Sequence, residues 1–200
     1  MTPSLRYGAA LAAMAVLLSG CGSTPTIRIY ELGNPAPATA GVWSESGLPI
    51  IELKTVSVPD YLDSSDILRS VGPNEVTASP TGRWGERLSL GLTHALASGL
   101  SQRLPKAVIE TAANVEPGRR LLVDIEQFEV AADGRCLLAA RWRLTTAEGA
   151  TSAAGERGIF TEAAGSIDDA AIAAAMTRDV DQLADRIAQT VQHGMTRHPG

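Results

Sequence analysis

The sequence predicts an α+β protein: a two-layer sandwich with two amphipathic helices on one face of a mainly antiparallel sheet, a pattern that also admits a mixed sheet. Three observations carry this. Strand-like runs fill Ile27–Leu32, Leu48–Val58, Arg120–Val130 and Arg135–Thr146. Two stretches, beginning at Leu88 and Ile172, repeat their apolar residues at spacings of three and four. The order is strands, helix, strands, helix, which suits helices gathered on one side of a sheet.

The chain opens with one positive charge, Arg6, and an apolar run from Gly8 to Leu18 that ends in Leu18-Ser19-Gly20-Cys21. A positive start, a short apolar core and small residues before a cut site make a secretory signal. The run is well short of the roughly 20 residues that span a bilayer. Leu-Ser-Gly-Cys resembles the lipobox of bacterial lipoproteins, which implies a signal peptide at 1–20 and acylation of Cys21 as the mature N-terminus. The alternatives are an ordinary signal peptide and an N-terminal membrane helix with an incidental cysteine. Residues 21–26 then form a short lipidated tether, and five extended residues reach at most roughly 17 Å. A single domain follows over 27–195, with a mobile loop at 33–47 and a flexible tail at 196–200.

The net charge of −5 becomes −6 once Arg6 leaves. An acidic chain without basic runs is a poor ligand for nucleic acid. It is equally unsuited to holding an anionic membrane by charge, so attachment rests on the lipid. Cys136 is left without a disulfide partner and reads as a small buried hydrophobe; a reactive thiol is the sharper reading.

Ile27–Leu32 alternates as a strand. Gly33–Gly47 is rich in Pro, Gly and small residues, and Trp43 either pins this loop to the body or stands exposed for a partner. Leu48–Val58 is a strand stopped by Pro59. Ile67–Val71 and Glu75–Ala78 flank a Gly72-Pro73-Asn74 turn. Pro80-Thr81-Gly82 introduces the first helix, whose stripe is Leu88, Leu92, Ala95, Leu96, Gly99, Leu100 and Leu104, and Pro105 ends it. Val108–Thr111 is a short strand. Arg120–Val130 and Arg135–Thr146 form a hairpin about Asp133-Gly134. In the first of these, Val123 and Ile125 differ in parity from Phe128 and Val130, so a bulge near Gln127 is required. In the second, Cys136, Leu138, Ala140, Trp142 and Leu144 share one face and Arg135, Arg141 and Arg143 the other. Glu156–Thr161 is an edge strand. Ser166 caps the second helix, whose stripe is Ile172, Met176, Val180, Leu183, Ile187 and Val191, and Gly194 is its natural C-cap.

No chemistry-bearing pattern emerges. His94, His193 and His198 have no metal-ligand spacing, and neither a phosphate-cradling glycine loop nor a nucleophile elbow is present. Asp63 with Asp66 fits turn capping, and Asp168 with Asp169 fits a helix start. The chain therefore reads as non-enzymatic, with no cofactor and no metal.

Two segments carry a family resemblance. Val58-Pro59-Asp60-Tyr61-Leu62-Asp63, followed by Ile67-Leu68-Arg69, resembles the segment after the second strand in the PqiC (YmbA) lipoprotein family. Arg83-Trp84-Gly85-Glu86-Arg87-Leu88 resembles that family's aromatic and acidic helix start. The chain departs from the family at Ser64-Ser65, where a basic residue and a proline are common. The resemblance implies an auxiliary lipoprotein of an MCE-type, ABC-associated lipid transport system, anchored in the outer membrane and docking a periplasmic MCE-domain protein. It implies no catalytic residues. An envelope binding module of the LptE or TolB-domain type is the alternative. The candidate partner residues are Tyr61, Leu62, Trp84, Arg141 and Arg143. Tyr61 and Leu62 either plug the end of the sheet core or form a partner-facing knob. Trp84 is either core or contact. The arginine face is either solvated or a surface for a partner or a second copy. Gly22, where an aspartate would signal inner-membrane retention, favours the periplasmic face of the outer membrane.

Overall fold

The computed structural model describes residues 26–33, 47–112, 117–146, 149 and 155–197. Outside them lie the expected signal peptide, Cys21 with nearly all of its tether, Trp43 with most of the 33–47 loop, and His198 in the tail.

The elements are β1 (Arg28–Tyr30), β2 (Ile50–Leu53), β3 (Asp66–Gly72), β4 (Glu75–Trp84), α1 (Leu88–Arg103), β5 (Val108–Glu110), β6 (Arg119–Val130), β7 (Arg135–Thr146), β8 (Glu156–Ala163) and α2 (Asp169–Arg197). All eight strands join one sheet built on β6. One edge of β6 pairs with β7 along its whole length, and β8 follows β7. The other edge takes β2 at Ile51↔Arg119 to Leu53↔Leu121, then Ser57 beside Asp124, then β3 at Arg69↔Val130. The segment from Ile50 to Arg69 therefore runs alongside β6 in the same direction. β4 and then β1 extend the sheet beyond β3.

This corrects the expected mainly antiparallel sheet. Four of the seven strand pairings are parallel and three antiparallel. The hairpins β3–β4 and β6–β7 were legible because a tight turn announces an antiparallel neighbour. Short runs such as Ile50–Leu53 and Val108–Glu110 carry no signal of direction, which depends on the path of the intervening chain.

The bulge in β6 lies where alternation requires it. Ile125 pairs with Ala140 and Gln127 with Ala139, which leaves Glu126 as the extra residue. Leu121, Val123, Ile125, Phe128 and Val130 consequently all enter one core with Cys136, Leu138, Ala140, Trp142 and Leu144 of β7. Both helices bury their expected stripes in the same cluster. Gly134 turns the hairpin at φ +80°, a left-handed conformation that suits a residue without a Cβ.

Three helix boundaries differ from expectation. Pro80-Thr81-Gly82 does not open α1; β4 continues through it to Trp84. The ladder jumps from Leu68↔Ala78 to Asp66↔Arg83, so residues 79–82 bulge away from β3 and Pro80 needs no ladder N–H there. The cap of α2 is Asp168, whose Oδ1 accepts from the Ala171 N–H at 2.9 Å, while Ser166 donates to Asp168 instead. Gly194 lies inside α2, and its carbonyl accepts from Arg119 at 3.0 Å.

The β4 bulge docks the start of α2. Asp169 is buried, and its carboxylate accepts from Arg69 Nη2 at 2.6 Å, Ser79 Oγ at 2.9 Å and Thr81 Oγ1 at 2.6 Å. Burial raises its pKa, but hydrogen bonds from Thr81, Ser79 and Arg69 outweigh it and hold the group below the usual carboxylate value. Gly82 allows the approach: a Cβ there would fall 2.6 Å from Asp169 Cγ.

Replacing Asp169 with Ala strands the Arg69 charge and two hydroxyls, and should cost about 3 kcal/mol in denaturant unfolding at neutral pH. Because the folded pKa is depressed, this contribution is present above the unfolded carboxylate pKa and fades as pH falls through the folded one. Gly82→Ala should cost about 1–3 kcal/mol through overpacking. Wild-type stability in either variant would contradict the docking role.

Candidate functional site

The sheet face turned away from the core is the candidate site. Side chains alternate along β7, so the register that buries Trp142 and Leu144 exposes Arg141 and Arg143. The bulge aims Glu126 at the same face. Its two oxygens pair with Arg141 Nε at 2.8 Å and Arg157 Nε of β8 at 2.7 Å. Arg143 has no carboxylate partner among the described residues. A shallow groove of about 300 Å³ runs between these groups, bounded by Asp124, Arg141, Arg143, Gly155, Glu156 and Arg157. Ile159 adds exposed apolar surface from β8, opposite Ala139 in register.

The family segments sort differently. Leu62 and Trp84 are both core residues, so neither side chain is available to a partner in this fold. Tyr61 is exposed. Burial is the larger cause of its raised pKa and the Glu129 charge the smaller, which places the phenol within electrostatic reach of the far end of β6. Of the five expected partner residues, Tyr61, Arg141 and Arg143 remain accessible.

The loop around Tyr61 has a further task. The flanking residue of α1, Arg87, offers no side-chain cap. The loop caps the helix in its place: Ser64 O accepts from the Leu88 N–H at 3.0 Å and Asp63 Oδ1 from the Ser89 N–H at 3.1 Å. Arg87 O takes the N–H groups of Leu90 and Gly91, so all four leading amides of α1 are satisfied. Burial raises the Asp63 pKa, but hydrogen bonds from Arg87 and Ser89 bring it below the usual value. Asp66, its sequence neighbour, pairs instead with Arg83 at 2.9 Å.

A second concavity of about 490 Å³ lies between the end of β1 and α1, lined by Tyr30, Trp84, Glu86, Gly91, His94 and Ser98 among others. His94 Nδ1 stands 2.9 Å from Glu86 Oε1, and both side chains are well exposed. Among the described residues no group of three or more His, Cys, Asp or Glu is placed to hold a metal ion. Cys136 is buried, and burial pushes its thiol up to about 12, with Asp179 contributing.

Asp179 is the residue that sequence reading passed over. It sits on α2 among the stripe residues Met176, Val180 and Leu183, and it is 0 % exposed, with neither carboxylate oxygen hydrogen-bonded among the described residues. Burial, then the negative charge of Glu162, push its pKa from 3.8 up to about 7; Arg178 opposes this. Its spacing, three from Met176 and four to Leu183, is the signal that could have found it. Glu126 and Arg157 were missed for another reason, since a bulge and a strand register bring them together.

A family model described as "ABC-type transport auxiliary lipoprotein component" matches residues 30–188. No curated protein matches the chain. Among solved structures, an uncharacterised protein superposes with a TM-score of 0.69 at 18% identity, covering 83% of this chain and 99% of that one. A protein from Xanthomonas campestris, described as DUF330, superposes at 0.66 and 17% identity, covering 86% and 95%. These structural likenesses are of fold.

Two stability measurements follow from the electrostatics. Asp63→Ala removes a helix cap and should cost about 1–2 kcal/mol in chemical denaturation. Asp179→Asn should do the opposite. The folded pKa of Asp179 lies above the unfolded one, so wild-type stability falls as pH rises from about 4 to about 7 and stays lowered above that. The Asn variant should exceed wild type by on the order of 2–4 kcal/mol at pH 8 and match it near pH 4. A pH-independent difference would overturn the assignment.

Proposed function

We propose, from the premise that this chain belongs to the family of ABC-type transport auxiliary lipoprotein components, that it is a non-enzymatic docking subunit of an intermembrane lipid transport system, held on the periplasmic face of the outer membrane by lipid on Cys21. The observation that carries the reading is the juxtaposition of a lipobox ending at Cys21 with a family match that begins at residue 30. The folded part begins so soon after the acylated cysteine that the domain works close to its membrane. Among the described residues no helix is long and apolar enough to cross a bilayer.

The partner in this reading is the MCE-domain protein that bridges the periplasm. Its contact surface is the outward sheet face, with Tyr61, Arg141 and Arg143 as the groups that touch it. Arg143 supports this choice because it is exposed and pairs with no carboxylate among the described residues, and arginine and tyrosine are enriched at interfaces. Gly22 supports the outer membrane.

Cys21→Ser should release the mature protein from membranes and abolish fatty-acid labelling; a variant that still floats and labels would refute the anchor. In membranes, crosslinking through a photoreactive residue at Arg143 should capture an MCE-domain protein. Capture of a lipopolysaccharide-assembly barrel in its place would favour the other envelope reading.

A further inference from the structure

Among the described residues three strands end the branched sheet: β5, β8 and β1. The β8 and β1 ends differ in character. Along β1–β4–β3–β6–β7–β8 there are five strand spacings, so the two edges lie roughly 24 Å apart.

The β1 edge is the part of the domain that leads directly from Cys21. Six residues from Cys21 to Ile27 reach roughly 20 Å at most. At this edge stand the two most exposed large apolar side chains of the described residues, Ile29 at 63 % and Ile167 at 66 %. Ile27 is exposed beside Ile29, on the same side of the strand. Arg28, on the other side, is exposed and pairs with no carboxylate among the described residues. Arg28 and Tyr30 line a concavity of about 520 Å³ together with Thr26, Pro80 and Ile167, which joins β1 to the connection before α2. The edge thus combines apolar side chains, an exposed guanidinium and a tyrosine. Of the acids nearby, Asp168 caps α2 and Asp169 is held by Arg69, while Glu31 stands exposed beside Ile29.

We propose that this edge rests on the phospholipid surface, with Ile27, Ile29 and Ile167 in the boundary between headgroups and acyl chains and the Arg28 guanidinium at lipid phosphates. The proposal rests on acylation of Cys21. Aliphatic side chains flanked by Arg and Tyr match the chemistry of that boundary, where an amphipathic group keeps its polar end wet. Chain connectivity selects the membrane as occupant, since the tether brings this edge, and not the β8 edge, to the bilayer. A second copy adding to β1 is the weaker occupant, because a strand of three residues offers few ladder hydrogen bonds. Contact at this edge would fix the orientation of the domain on its anchor, with β8 and the arginine groove held away from the bilayer.

The test uses the full-length acylated protein in phosphatidylethanolamine–phosphatidylglycerol vesicles. Spin labels are placed singly through Ile29→Cys, Ile167→Cys and, as a far-edge control, Ile159→Cys. Native Cys136 is buried and does not compete for label. Collision rates are measured with oxygen, which concentrates in lipid, and with a water-soluble nickel complex. The oxygen-to-nickel ratio should be severalfold higher at 29 and 167 than at 159, and should fall to the level at 159 when the vesicles are dissolved in detergent. Equal ratios at all three sites, in protein that co-floats with the vesicles, would overturn the membrane contact while sparing the anchor. Failure to co-float would overturn the anchor, and this proposal with it.

Discussion

Glu126 is one residue too many for its strand, and the fold depends on it. β6 pairs along its whole length with β7 and must present one apolar face to both helices. A strict alternation would turn Phe128 and Val130 to solvent if Leu121, Val123 and Ile125 faced inward. Losing the burial of those two side chains would forfeit roughly 3–6 kcal/mol, a large part of the stability of a single domain. The bulge removes the conflict and sends its own carboxylate outward, where it gathers Arg141 and Arg157. One backbone irregularity therefore both completes the core and organises the opposite surface.

Polar groups fix the ends of the packed elements. The 60–65 loop satisfies the leading amides of α1, and the β4 bulge receives Asp169 at the head of α2. Both devices are non-local: each joins a helix start to a segment more than twenty residues away. The buried carboxylate of Asp179 works against folding above neutral pH, because no hydrogen bond among the described residues offsets its desolvation. Asp169 and Asp179 lie on the same helix, both buried, and their pKa values move in opposite directions. Partners decide that difference, since burial alone would raise both.

The division of surfaces follows from where the chain enters the fold. The first strand ends one side of the sheet, so β1 and the arginine groove belong to opposite ends of the same layer. The proposed docking role uses this separation, with one surface for the membrane and another for a partner. The family segment around Tyr61 serves the fold first through Leu62 and Asp63, and leaves the phenol outside.

Much was legible from residues alone, because the relevant signals are local. Apolar spacing marks both helix stripes, the Asp133-Gly134 turn marks the central hairpin, and the clash of parities in β6 demands its bulge from the sequence alone. The lipobox and the family segments marked the kind of protein. Strand direction was not legible for β2 and β5, or for β3 against β6, since parallel neighbours meet through crossovers that no turn motif announces. The caps of α1 and α2, the burial of Leu62 and Trp84, and the meeting of Glu126 with Arg157 were also decided in three dimensions. The physical reason is common to all of these. Periodicity reports which side of an element is apolar, whereas hydrogen-bond partners and charge pairs depend on distances between segments that only the packed chain brings together.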